Sequence, residues 1–103
     1  MARIDFLFIF RTDGCDPSRH RTVIDTPEGD VTTVGVDSVD EACAVAAAAH
    51  ADGTAHFIEL CGDFGEEGCR RVIAAVDGKL PVGYVTYFPE EAEKLDRVFG
   101  AAG

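Results

Sequence analysis

Between residues 31 and 88 the apolar residues change spacing again and again, and that alternation limits the fold more than any other feature. Val31 to Val36 has strand character. Val39, Ala42, Cys43, Ala46 and Ala49 then form one helical stripe, whose small residues let a helix lie close to a sheet. Residues 54–61 read as a strand. Cys69, Val72, Ile73 and Val76 return to the i, i+3, i+4, i+7 spacing of a helix over about 66–77. Leu80 to Phe88 reads as the last strand, with Pro81 at its start, where a missing donor is tolerated. Strand–helix–strand–helix–strand is the signature of an α/β domain. Right-handed crossovers then put both helices on the same face of the sheet.

The ends of these elements are marked. Ser38-Val39-Asp40-Glu41 is a capping-box pattern. Gly53 and Gly78 follow the two helices and can adopt the left-handed conformation that ends them. Upstream, Ile4, Phe6, Phe8 and Phe10 alternate with Leu7 and Ile9, so both faces need cover and the segment is a central strand. Arg11 to His20 is a loop. Arg21–Thr26 and Val31–Val36 flank the turn Pro27-Glu28-Gly29-Asp30, which predicts a hairpin over 21–36. Residues 17–24 are alternatively one short helix. Pro89-Glu90-Glu91 opens a final helix with Ala92, Leu95, Val98 and Phe99 on its apolar side.

The expectation is one small α/β domain over residues 1–103. It has a mostly parallel sheet of four or five strands, a βαβαβ core over 31–88, the 21–36 hairpin and a C-terminal helix. A ferredoxin-like α+β arrangement is the alternative. The face that the two crossover helices leave open needs cover from the last helix or a second subunit, so a homo-oligomer is expected, most simply a dimer.

Composition removes several classes of function. A hydrophobic content of 47% argues against disorder. A net charge of −10 argues against a nucleic-acid partner, because a phosphate backbone is repelled without a basic patch. The lysine-poor, acidic balance also suits solubility at high salt. The run Ile4–Phe10 is too short to span a bilayer and lacks a cleavage site after it, so no membrane association is expected and the location is the cytoplasm. Cys15, Cys43, Cys61 and Cys69 form no C-x-x-C pair and read as free thiols. Cys15 lies near Asp13, Asp16 and His20, but the spacing matches no strong zinc pattern, and neither a metal nor a cofactor is expected.

The candidate site is the stretch His56 to Gly65, where an apolar strand carries Glu59 and then breaks into a glycine-punctuated loop. Glu59 and Cys61 share one strand face near its carboxyl end. A carboxylate held among apolar neighbours has a raised pKa and can exchange protons near neutrality. A thiol near a helix N-terminus ionises more readily. These two are the candidate catalytic residues. Arg11 and Asp13 reach the same edge if their strand runs parallel, and Tyr87 joins from the last strand. Arg11 is suited to hold a carboxylate or phosphate through paired hydrogen bonds. Gly62, Asp63 and Gly65 supply the loop, with Asp63 a ligand contact or a helix cap. The plainer reading has Glu59 paired with Arg11 and Cys61 simply buried.

The segments Phe6-Leu7-Phe8-Ile9-Phe10, Gly14-Cys15-Asp16-Pro17, Val34-Gly35-Val36, Glu41-Ala42-Cys43, Ile58-Glu59-Leu60-Cys61-Gly62-Asp63-Phe64-Gly65 and Pro81-Val82-Gly83 resemble a family of small prokaryotic proteins, domain of unknown function 6506. The resemblance implies a compact α/β domain and carries over no catalytic residue. Two function classes follow: a protein or enzyme that binds a small anion or carboxylate at the carboxyl edge of the sheet, or a non-catalytic oligomeric scaffold or regulatory module.

Overall fold

The computed structural model describes residues 2–102. It contains β1 (Phe6–Arg11), β2 (Arg21–Thr26), β3 (Gly29–Val36), α1 (Val39–Asp52), β4 (Phe57–Leu60), a 3-10 turn at Gly62–Phe64, α2 (Gly65–Ala75), β5 (Val82–Tyr84) and α3 (Pro89–Ala102). The sheet order is β2-β3-β1-β4-β5. β1 runs parallel to both β3 and β4, β4 parallel to β5, and β2 antiparallel to β3. This is the expected α/β domain, and the mostly parallel sheet is not that of a ferredoxin-like fold.

The continuous apolar character of β1 follows from its central place. Leu7 and Ile9 face the helices and are buried with Val34, Val36, Ile58 and Leu60, beneath Ala42, Ala46, Cys69 and Val72. The helices α1 and α2 pack against each other, so both lie on this face. The other face carries Phe6, Phe8 and Phe10 from β1, in register with Val31, Thr33 and Gly35 of β3 and with Phe57 and Glu59 of β4. The Phe6 and Phe57 rings stack there at 4.7 Å.

The ends of α1 behave as the sequence implies, with one change, while α2 ends at Ala75 with Val76 in the cap position, short of the expected stop at Gly78. Ser38 accepts from the Glu41 amide, but Glu41 reaches back to the amide of Asp37 at 2.6 Å rather than to that of Ser38. Gly53 takes the left-handed cap. The hairpin over 21–36 forms, and residues 17–24 are a turn followed by β2, not a helix.

Two strands are shorter than their apolar runs. β4 covers 57–60 of the expected 54–61, and β5 covers 82–84 of the expected 80–88. β4 turns into the 3-10 turn after Leu60. The last rung beyond β5 is the Val85 amide bonding the Leu60 carbonyl, and the ladder ends where its partner does. Tyr87 therefore lies in the connection to α3, not in a strand.

Candidate functional site

The parallel arrangement of β1, β4 and β5 brings their carboxyl ends to one edge of the sheet. A cavity of about 950 Å³ opens there, between the uncovered sheet face and α3. Six of the residues expected at the site line it: Arg11, Asp13, Cys61, Gly62, Asp63 and Tyr87. Glu59 and Gly65 do not.

Arg11 organises the polar rim. Its Nη1 donates to Asp13 Oδ1 at 2.9 Å and to the Asp37 carbonyl at 3.0 Å. Its Nε donates to the Asp63 carboxylate. Asp63 is thus an ion-pair partner and not a cap: it is the second residue of the 3-10 turn, and neither that turn nor α2 has a side-chain cap. The hydrogen bond that Arg11 donates to Asp13, then that to Asp63, raises its pKa well above the ordinary value, so the guanidinium stays charged at every accessible pH. Among the described residues its Nη2 makes no hydrogen bond. The backbone amide of Arg11 points to Cys61 Sγ at 3.4 Å, which holds the half-buried thiol beside the rim.

Glu59 departs from expectation. It is exposed, because its strand face has no helix over it at that point. The premise of a carboxylate buried among apolar side chains therefore fails. The expected Arg11–Glu59 pair is also not formed, since Arg11 is engaged by Asp13 and Asp63. The α2 amides do not form a simple anion cradle either: a 3-10 turn precedes them, and Glu66 and Glu67 occupy the first helical turn.

The sequence reading missed the aromatic half of the site. Phe8, Phe10 and Phe99 join Tyr87 on the cavity wall, with Ala92 and Leu95 supplied by α3; Tyr84 borders the cavity, but its register with Leu60 turns its side chain to the helix-covered face. The signal was present in the alternation of β1, which puts Phe8 and Phe10 on the face of Cys61. It was masked because aromatic residues in a strand read equally as core. All four cysteines are free, and no metal-binding group of acidic, histidine and cysteine side chains occurs among the described residues. No helix among them is long and apolar enough to cross a membrane.

A five-stranded, mostly parallel sheet with α1 and α2 on one face and a cavity at its carboxyl edge defines a small α/β protein. The chain belongs to a family of unknown function, DUF6506, whose model matches residues 4–100. Neither the comparison with curated proteins nor that with solved structures returned a match.

Proposed function

We propose that this protein binds a small molecule with an aromatic or other apolar body and one carboxylate end, in the cavity at the carboxyl edge of the sheet. The observation that carries this reading is the composition of one wall system. Four aromatic residues, Phe8, Phe10, Tyr87 and Phe99, line the same cavity as a charged arginine and a thiol. Ligand sites are typically apolar with a few convergent polar groups. Asp13 is 93% exposed, so an incoming carboxylate can replace it on Arg11 with little desolvation cost.

The reading is of binding rather than catalysis. Glu59 lies off the cavity wall, and no histidine lines it to activate Cys61. The test is thermal shift of the wild type and Arg11→Gln with an aromatic carboxylate, its alcohol counterpart, acetate and phosphate. The expected result is a rise with the aromatic acid that Arg11→Gln loses. An equal rise in both proteins, or none in the wild type, overturns the reading.

The protein is also read as a homo-oligomer, most simply a dimer, because one face of its sheet lacks cover. That same exposure supports a second reading, a non-catalytic scaffold or regulatory module. It predicts no ligand-dependent shift and function that survives Arg11→Gln.

A further inference from the structure

A parallel sheet is normally covered on both faces. Here α1 and α2 cover one face, and only α3 stands over the other. Five strands at about 4.8 Å spacing are roughly 20 Å across, while a helix with its side chains is about 10 Å. One α3 is therefore too narrow to cover the face. Nor is its own apolar side used up: Phe88, Val98 and Phe99 are 74%, 63% and 68% exposed. The radius of gyration is 14.3 Å, and the principal extents are 44 × 27 × 26 Å. A compact chain of this length has a radius near 13 Å. Among the described residues α3 is the helix without extensive packing on any other element.

We infer that a second copy of this chain covers the open face. Each α3 keeps its place over its own cavity, and its outward apolar residues pack on the uncovered part of the other protomer's sheet, so that the cavity at each carboxyl edge is closed by its partner. The inference deepens the dimer reading above and rests on the proposed ligand site only for what is closed.

Three observations point to a second copy. Each chain carries both halves of the contact, a helix with an apolar side to spare and an uncovered apolar face, so a two-fold exchange satisfies both at once. Phe88, Val98, Phe99, Tyr87, Val85 and Ile24, with the half-buried rings between them, expose on the order of 800 Å². That is about what each partner of a stable complex buries. The face is also depleted of charge, as interface cores are. Of its described strand residues Glu59 alone is charged, in a chain with 19 acidic and 9 basic residues.

The test uses the full chain in sedimentation equilibrium from about 1 to 100 μM, against a protomer mass of 11.0 kDa. The expected wild-type species is a dimer that tightens as salt is raised, because salt screens the repulsion between two chains of net charge −10. Val98→Glu on the helix and Ile24→Glu on the sheet alter residues exposed in the protomer, so each should fold. Each is expected to raise the dissociation constant by about tenfold or more with an unchanged circular dichroism spectrum. Glu59→Leu is expected to lower it. A wild type that stays monomeric throughout, or a dimer indifferent to both glutamates, overturns the inference. For the closure itself, the aromatic-acid shift is measured on monomeric Val98→Glu. Loss of the shift there supports closure by the partner, and full retention overturns it while leaving the ligand site standing. A wild-type dimer that shows no shift with any acid fails the ligand site alone.

Discussion

Arg11, the last residue of β1, donates its Nε to the carboxylate of Asp63 in the turn that follows β4. Fifty-two residues separate them in the chain, and the parallel pairing of the two strands brings them together. The same guanidinium holds Asp13 and the carbonyl of Asp37, so the ends of three strands meet on one side chain.

Exposed ion pairs contribute little to stability, and Asp13 and Asp63 are both substantially solvent-exposed. Arg11→Gln is therefore expected to lower stability only slightly. Urea unfolding measures this. A loss several times larger would make Arg11 a structural clamp rather than a rim group.

Glu59 and Ile58 are neighbours in β4 that face opposite ways, one exposed and one 1% exposed. Glu59→Gln should change stability by no more than about 0.5 kcal/mol. Ile58→Ala should cost about 2–5 kcal/mol, because it removes buried methyl groups and leaves a cavity. Denaturant midpoints of the two variants give the comparison directly.

Gly29 opens β3 with a φ of 154°, and a β-carbon there would stand 1.9 Å from the Ile4 carbonyl oxygen. The clash is with backbone, which cannot rotate away. Gly29→Ala is expected to destabilise by about 2 kcal/mol or more and to loosen the start of the hairpin. Thermal unfolding, with amide exchange along β2 and β3, reads both effects.

Burial pushes the Cys69 thiol above its ordinary value of 9.0. The unfolded chain then releases its proton before the folded one does. Stability from this group is complete below pH 9.0 and is lost as pH rises through the folded value. Cys69→Ala should remove that part of the alkaline decline, whatever it costs in packing. Unfolding midpoints between neutral and alkaline pH, compared with those of the wild type, settle it.

Much of this architecture was legible in the amino-acid order. The switch between two-residue and helical spacing set the order of strands and helices, because each element must present one apolar side to a shared core. Ser38 and Gly53 marked the ends of α1 through local backbone chemistry that needs no distant partner. The meeting of Arg11, Asp13, Cys61 and Asp63 followed from strand direction, since parallel strands place their carboxyl ends at one edge.

What tertiary structure alone decided was what lies opposite each side chain. Glu59 sits in an apolar run, yet it is exposed because no helix covers that face above it. Asp63 had the position of a cap, but Arg11 reached it first. The run from Leu80 to Phe88 had strand character throughout, but β5 ends at Tyr84 because its partner turns away after Leu60. Burial, ion pairing and strand length all depend on a neighbour from elsewhere in the chain, and local spacing carries no information about where that neighbour stops.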